Sequence, residues 1–245
     1  MIRELEERAL NAWPGMQHLL YDGWLLNFAH GYTRRANCVN VLSAGRVPMA
    51  EKIAWCEEQY RARQLRTVIK ITPLSQPETL DRLLEEKGYQ FEAASEVLYA
   101  PMTSLRYDSE VPSDTVMLPQ EAWLKAFAHV TGQSPDGHDV HRAILQAIAL
   151  PCCPVAILQG GNPVAVGLGV LERGMVGFYD VATAASCRRQ GMATRIFSTI
   201  LTWAAGLGAQ ATYLQVMAEN LPAMTFYTRL GFQRCYRYWY RVKEG

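Results

Sequence analysis

Apolar and polar positions recur with two different periods along this chain, and they predict helices and strands in both halves. Helical spacing of apolar residues predicts helices over residues 4–12, 49–64, 77–87, 121–130, 140–149, 193–207 and 220–232. Apolar runs bounded by turn residues predict strands over residues 24–28, 38–42, 67–71, 89–99, 115–118, 155–158, 164–171, 175–183, 211–216 and 235–242. The succession of helix, strand, helix and strand in the first half is repeated in the second.

Length and charge narrow the class of protein. With 245 residues, of which 49% are hydrophobic, the chain can form one large or two ordinary domains with a sizeable core. Its formal net charge of +1 argues against broad electrostatic attraction to nucleic acid or to an anionic membrane. No apolar run approaches the ~18 to 20 residues that span a bilayer, and the N-terminus is polar. We therefore expect a soluble globular protein without nucleic-acid or membrane partners.

The cysteine and histidine patterns give no sign of a metal site or a disulfide framework. Six cysteines have no repeated spacing and include the adjacent pair Cys152-Cys153. Reduced cysteines in the cytoplasm fit this pattern best. His138 and His141 lie one helical turn apart, but no third ligand is evident in the sequence. Cytoplasmic localisation and the absence of a metal are therefore expected, with Cys187 interpreted as a small loop residue.

A basic turn that contains a glycine follows the strand predicted at residues 175–183. Its sequence, Arg188-Arg189-Gln190-Gly191-Met192-Ala193, leads directly into an amphipathic helical stretch. The first N–H groups of a helix have no partner within the helix, and the helix dipole adds positive potential at that end. Gly191 would let the backbone approach a ligand closely. This order of strand, turn and helix predicts an anion site, most often for phosphate.

A second motif follows downstream, where residues 211–216 predict a strand and residues 220–232 predict a short helix closed by a glycine. Two sequence elements of the GNAT superfamily of N-acetyltransferases are matched in order, RxxGxA by Arg188, Gly191 and Ala193, and NxxAxxxYxxxGF by Asn220, Ala223, Tyr227, Gly231 and Phe232. Residues 181–232 therefore resemble the acyl-CoA-binding half of that superfamily.

The resemblance implies acetyl-CoA as cosubstrate. In the family, the basic turn binds the pyrophosphate, the end of the preceding strand pairs with the pantetheine arm, and the asparagine holds the splayed second strand or that arm. The cofactor-binding residues implied in this sequence are Val181, Ala182, Thr183, Arg188, Arg189, Gln190, Gly191, Met192, Ala193, Thr194, Asn220 and Phe226.

Tyr227 and Asp180 are the candidate catalytic residues. When an amine attacks a thioester, a phenol within hydrogen-bond reach can protonate the departing thiolate, and the motif gives this role to Tyr227. The structural alternative is a half-buried aromatic on an amphipathic helix. A carboxylate, or a water that it holds, usually removes the proton of the amine. Asp180 is the candidate for this base, with Glu172 on the preceding hairpin as the alternative and a solvated or strand-pairing role open for both.

The first half of the chain reads as a degenerate copy of the second. When Gly88-Tyr89-Gln90 is aligned with Gly231-Phe232-Gln233, Leu84 stands where Tyr227 is. This half also lacks a counterpart of RxxGxA, since Gly45-Arg46-Val47-Pro48 leads into its helix. Together with the stretches at 22–26 and 35–39, the first half resembles the N-terminal part of a two-unit subgroup of GNAT proteins.

The resemblance implies an α/β (α+β) fold, in which a mixed, mostly antiparallel sheet is flanked by helices. Two tandem GNAT-like units are expected over residues 1–105 and 106–245, with the boundary near residues 101–113, where Pro, Ser, Asp and Thr gather. Only the second unit is expected to bind acetyl-CoA. The last predicted strand, 235–242, interleaves tyrosines with basic residues and is expected to complete the GNAT sheet rather than to bind single-stranded nucleic acid.

The sequence thus predicts an N-acetyltransferase that transfers an acetyl group from acetyl-CoA to a primary amine by direct attack. The acceptor is expected to be a small molecule or a peptide, and the sequence carries no signal for an oligomeric state. A ping-pong route through a cysteine and a non-catalytic acyl-CoA-binding or regulatory module are the alternatives. In the family, the two helices at 121–130 and 140–149 form the acceptor wall, which makes their polar residues candidates for acceptor contact or surface positions, namely His129, His138, Asp139 and His141.

Overall fold

A computed structural model describes residues 1–110, 112–133 and 138–245. By its internal contacts the chain forms two compact units, the first comprising Met1–Glu96, Met217–Glu219 and Tyr236–Gly245, and the second Val97–Val216 and Asn220–Cys235. The segment predicted as the boundary includes residue 111, which lies outside the described residues. The division into functional domains at residue 105 stays a prediction.

The first unit combines helices with a mixed sheet. Its elements are α1 (Ile2–Ala12), β1 (Gln17–Tyr21), β2 (Trp24–Phe28), β3 (Val39–Val41), α2 (Met49–Arg61), β4 (Thr67–Ile71), α3 (Leu80–Glu86), the first part of β5 (Gln90–Pro101) and the end of β11 (Gln233–Lys243). Strands β1, β2, β3, β4 and β11 are neighbours in that order. The pairing of β3 with β4 is parallel, and the other three pairings are antiparallel.

The second unit repeats this plan. Its elements include β6 (Thr115–Met117), α4 (Gln120–Thr131), α5 (His138–Ala147), β7 (Cys152–Gln159), β8 (Asn162–Glu172), β9 (Met175–Thr183), α6 (Met192–Gly206), β10 (Ala211–Met217) and α7 (Leu221–Leu230). Strands β10, β9, β8, β7 and β6 are neighbours in that order, and only β9 with β10 is parallel. Both units therefore contain a hairpin of two strands, a third strand that pairs antiparallel with the hairpin, and a fourth strand that follows a helix and pairs in parallel with the third. The repeat in the sequence predicts this likeness.

The sequence did not indicate β4 as a partner of the last strand, and the expectation that this strand completes the GNAT sheet stays a prediction. Residues 239–243 of β11 pair with β4 in the first unit, whereas residues 233–235 belong to the second. The reason lies in the side chains, because the Tyr236 hydroxyl donates to the Glu6 carboxylate, and the guanidinium of Arg241 pairs with Asp81 at 2.8 Å. Strand β1 was not predicted at all, since its five residues are mostly exposed or half-buried and carry little apolar pattern.

Helix α6 is held against the sheet of the second unit by an apolar face. Ile196 and Ile200 lie over Gly167 and Gly169 of β8, where an added Cβ would come within 2.4 Å and 2.5 Å of these isoleucines. Phe197 stacks on Phe178 of β9, with ring centroids 4.0 Å apart. This packing fixes the start of α6 beside the end of β9. None of the helices within the described residues has the length and apolarity needed to cross a membrane.

Candidate active site

Strands β9 and β10 separate at one end of the second unit. Their parallel pairing joins Met175–Phe178 to Ala211–Leu214 and then stops, although both strands continue. Nearby, the β8–β9 register shifts so that Asp180 and Val181 together oppose Gly167. Asp180 adopts a positive φ of 48°, as expected of a residue in a β-bulge. The bulge and the splayed strands leave backbone of β9 without a β10 partner at the predicted pantetheine position.

A cavity of about 800 Å³ lies at this opening. Its lining contains Tyr227 and every predicted cofactor-binding residue except Gln190, namely Val181, Ala182, Thr183, Arg188, Arg189, Gly191, Met192, Ala193, Thr194, Asn220 and Phe226. Gln190 instead donates through Nε2 to the carbonyl of Ser186 at 3.0 Å. Sequence reasoning missed five further lining residues, which are Val130, Thr131, Cys187, Pro222 and Ala223. Val130 and Thr131 end α4, far from the motifs in sequence, so no local signal could have identified them.

The basic turn forms a cradle of backbone donors, consisting of residues 188–194. Gly191 precedes the first residue of α6 with φ +81°, and no side chain forms a capping hydrogen bond at this position. A Cβ built on Gly191 would find no described atom within 4 Å, so the space before the helix is open. Arg188 and Arg189 are exposed beside it, whereas Arg195 is engaged with Asp114. Unpartnered helix N–H groups, positive charge and open space together suit an anion.

Tyr227 lies on α7 within a cluster of aromatic rings. Its ring centroid is 5.4 Å from that of Phe197 and 5.3 Å from that of Phe226. Burial raises the pKa of Tyr227 to about 12, since the phenolate would be poorly solvated there. The hydroxyl is therefore protonated throughout the neutral pH range and can act as a donor.

Asn220 forms a hydrogen bond that caps a helix, and Glu172 forms an ion pair. The Asn220 side chain caps α7, because its Oδ1 accepts from the Ala223 N–H at 3.2 Å. Glu172, the alternative base, forms an ion pair with Arg173 at 3.1 Å and does not line the cavity. The cap orients α7 and hence Tyr227.

Asp180 contacts His141 and, like Glu172, is not among the residues that line the cavity. The Nε2 atom of His141 lies 2.9 Å from Oδ2 of Asp180, and the imidazole is completely buried while 21% of the Asp180 side chain is exposed. Of the other polar candidates on α4 and α5, Asp139 pairs with Arg142 at the surface and His129 lines a separate shallow groove. The structure thus brings one of the four proposed acceptor-wall residues to the candidate base, and this residue is a core histidine.

The cysteines other than Cys187 are poor nucleophiles. Burial raises the pKa of the Cys153 thiol to about 12 and that of Cys152 to about 11, and it also raises those of Cys38, Cys56 and Cys235. Cys187 is buried against the cavity, with Sγ 3.8 Å from Oε1 of Gln159. Across the described residues, no group of three or more His, Cys, Asp or Glu side chains could hold a metal ion.

A family model, a curated relative and solved structures that resemble this chain agree on one family. Residues 1–241 match the family model described as "Probable histone acetyltransferase Rv0428c C-terminal". The chain is 26% identical over 250 residues to the "Uncharacterized N-acetyltransferase YobR" of Bacillus subtilis (strain 168), covering 99% of both chains. Among solved structures, it is similar to a GCN5-related N-acetyltransferase from Kribbella flavida, with TM-score 0.69 and 16% identity over 99% of this chain and 95% of that one. A tandem GNAT protein from the clavulanic acid biosynthesis pathway is similar in fold, with TM-score 0.64 and 11% identity over 84% and 75% of the two chains.

Proposed function

This chain belongs to the acetyltransferase family represented by the C-terminal part of Rv0428c, within the GNAT superfamily, and we propose that it transfers an acetyl group from acetyl-CoA to a primary amine. It is an acyltransferase with two GNAT-like units. The observation that carries the proposal is one cavity whose lining includes both the cradle at Gly191 and the phenol of Tyr227. A ligand with an anionic end and a reactive end fits such a lining. The acceptor would be a small molecule or a peptide that bears the amine.

The cradle would hold the pyrophosphate of acetyl-CoA. The open N–H groups at the start of α6 would donate to its oxygens, and Arg188 and Arg189 would supply charge. Val181, Ala182 and Thr183 would pair with the amide arm, since β10 no longer pairs with this part of β9. Phe226 would pack beside that arm, while Asn220 would act by holding α7 in place.

Direct attack by the amine accounts for the rest of the chemistry. The nitrogen forms a bond to the carbonyl carbon, the C–S bond breaks, and the sulfur leaves as a thiolate. A thiol pKa of about 8.5 lies well below that of Tyr227, so complete proton transfer from the phenol is uphill. We expect Tyr227 to stabilise the sulfur mainly by donating a hydrogen bond as charge develops on it.

Asp180 would take the proton that the attacking amine loses. Its carboxylate lies in the β-bulge that precedes the cavity-lining residues of β9, and part of it is exposed. A ping-pong route would need a reactive thiolate at the thioester. Cys187 lines the cavity beside the basic turn, which is the end proposed for the pyrophosphate, and this position favours direct attack.

We also propose that the functional domains are 1–105 and 106–245, that only the second binds acetyl-CoA, and that the enzyme works in the cytoplasm. Reduced, mostly buried cysteines support the last point. A net charge of +1 supports an acceptor that is not a nucleic acid.

A screen of amines, amino acids and lysine peptides with acetyl-CoA, read by release of free CoA thiol, tests this function. Tyr227→Phe should lower kcat about 10- to 100-fold while the Kd for acetyl-CoA changes little, since one transition-state hydrogen bond is lost. Tyr99→Phe, at a half-buried tyrosine of β5, is the matched control and should leave both values unchanged. Tight binding of acetyl-CoA without turnover of any amine would favour the non-catalytic module instead.

A further inference from the structure

His141 is a buried histidine that the proposed chemistry does not yet use. It lies on α5, three residues after the first residue of that helix, and its Nε2 atom faces Oδ2 of Asp180 at 2.9 Å. Two rings of α4 enclose the imidazole edge-on, with centroids 4.9 Å away for Phe127 and 6.1 Å away for Trp123. The Trp123 Nε1 atom in turn donates to the carbonyl of Val155 at 3.0 Å, which anchors that wall. The histidine therefore has one orientation set by packing.

Among the described residues, Asp180 is a charged group that faces this imidazole. On α4 and α5, the charged side chains of Glu121, Asp139 and Arg142 pair with one another at the surface. Lys125 and His129 line the separate shallow groove on α4, and His138 is half-buried at the start of α5. Next to Asp180 on β9, the Tyr179 hydroxyl lies 2.8 Å from that of Tyr213. Asp180 does not line the cavity itself but directly precedes the lining residue Val181, so its carboxylate is the group through which His141 can act at this site.

We propose that His141 is a positioning residue for the base Asp180. It holds one carboxylate oxygen from the buried side, which leaves the other oxygen for the proton of the acceptor amine or of a bridging water. The backbone at Asp180 is fixed by the bulge and the side chain by His141, so both determinants of its direction are set before substrate binds. This inference rests on the proposed function and adds a residue to it.

The experiment compares His141→Leu with His141→Gln in the full chain. Leucine removes the donor while filling the apolar space, and glutamine retains an N–H donor. Expected results are an about tenfold or greater loss of kcat with little change in KM for the amine in His141→Leu, and partial rescue of kcat in His141→Gln. The Kd for acetyl-CoA should be unchanged in both variants.

Asp180→Asn provides the second arm of the test. Loss of a general base lowers the rate about 10²- to 10⁴-fold. In the Asp180→Asn background, His141→Leu should have no further effect, because a positioning residue acts only through its partner. Additive losses in the double variant, or an unchanged kcat in a folded His141→Leu enzyme, would overturn the proposal. Normal amine turnover in Asp180→Asn would also overturn it while leaving the acetyltransferase function standing.

A second inference concerns the first unit and rests on Asp22. This residue lies in the two-residue turn between β1 and β2, and its carboxylate reaches residues 46 and 47 of the loop that leads into α2. It accepts from the N–H groups of Arg46 and Val47, each at 2.9 Å, and pairs with the buried ammonium of Lys52 at 3.0 Å. These donors hold the pKa of Asp22 at about 2, with the Val47 N–H as the largest cause.

The matching position in the second unit is open. Gly45 lies four residues before the first residue of α2 and Gly191 lies directly before α6, and the two have similar positive φ values, +77° and +81°. A Cβ on Gly45 would come within 2.1 Å of Asp22 Oδ2, whereas one on Gly191 would meet nothing within 4 Å. The turn between β7 and β8 has Gly160 where the turn between β1 and β2 has Asp22. The second unit therefore has no side chain at the position from which the carboxylate enters.

We infer that the Asp22 carboxylate takes the place of a bound anion in the first unit, at the position that corresponds to the cradle of the second. The carboxylate takes the backbone donors that a phosphate would need, and Lys52 compensates its charge inside the unit. The chain then binds one CoA, in the second unit, and the first unit is closed to phosphate groups by its own side chain. Gly45 is needed in this arrangement for the carboxylate to approach, as Gly191 is for a phosphate.

Binding stoichiometry and one exchange variant test this inference. Wild-type protein should bind one CoA per chain by calorimetry, and once CoA is saturating, inorganic phosphate should raise Tm only by its general salt effect. Asp22→Gly copies the Gly160 turn and should add a saturable rise of Tm with phosphate. Asp22→Asn keeps the side chain in place and should respond as the wild type does. Two CoA molecules per wild-type chain, or a folded Asp22→Gly protein that responds to phosphate as the wild type does, would overturn the inference.

Discussion

Phe178 and Leu214 are the last residues that pair β9 with β10. Beyond them β9 bulges at Asp180 and β10 runs on without β9 as a partner, while Phe178 itself is held by its stack on Phe197. The separation of the two strands is therefore fixed by core packing on α6. It opens the cavity whose lining joins Gly191 to Tyr227.

Replacing Gly191 by alanine should weaken CoA binding more than it destabilises the fold. The residue has φ +81°, so an alanine costs about 1–2 kcal/mol of backbone strain. Its methyl group would stand in the open cradle, and the loss of a charged hydrogen bond, about 1.5–3 kcal/mol, corresponds to a ~10- to 100-fold higher Kd. Calorimetry with CoA measures the affinity. Gly206→Ala, at the exposed end of α6, is the control and should keep the wild-type Kd.

The way the free energy of unfolding changes with pH should show that the Tyr227 hydroxyl is shielded from solvent in the folded state. The pKa of Tyr227 is raised from 10.0 to about 12, so the folded state holds the proton more tightly than the unfolded chain does. Its contribution to stability is complete below pH 10 and is lost as pH rises through 12. The difference in free energy of unfolding between wild type and Tyr227→Phe should therefore change across this window. A constant difference from pH 9 to 12 would contradict the burial of this hydroxyl.

Asp22 should make the free energy of unfolding fall as pH decreases, whereas Tyr227 makes it fall as pH rises. The pKa of Asp22 is lowered from 3.8 to about 2, so its stabilising contacts are complete above pH 3.8 and are lost as pH falls through 2. Wild type and Asp22→Asn should thus differ in stability at neutral pH and converge toward pH 2, as measured by denaturant unfolding. Glu244→Gln, at a largely exposed carboxylate, should show no such convergence.

A fragment of residues 1–105 should not unfold cooperatively. It lacks β11, so β4 loses its antiparallel partner, Glu6 loses the Tyr236 hydroxyl and Asp81 loses Arg241. Glu6 keeps Lys70, but each lost hydrogen bond to a charged group costs about 1.5–3 kcal/mol, and together with the unpaired edge of β4 this is a large part of the stability of a small domain. Adding residues 236–245 through a flexible linker should restore a thermal transition. Cooperative melting of the bare fragment would show that β11 is dispensable.

The helices and strands of this chain were largely predictable because each depends on local patterns. The predicted strand over 175–183 coincides with β9, and the predicted start of α6 lies within one residue of the observed one. Those patterns fail where an element is short and has no buried residue, as β1 has none among its five. They also fail for the partner of a strand, because an alternating pattern in β11 is satisfied by any sheet that buries its tyrosines.

By itself, the sequence determined the position of the candidate site. A glycine at a helix start and a tyrosine two turns into another helix are local features, and their spacing places them around one cavity. Only the tertiary structure decided that His141 contacts Asp180, that Asp22 binds the loop before α2, and that β11 pairs with β4. These contacts join residues between 25 and 176 positions apart, and no local periodicity encodes them. They form because polar groups enclosed by the packed cores must pair with other polar groups.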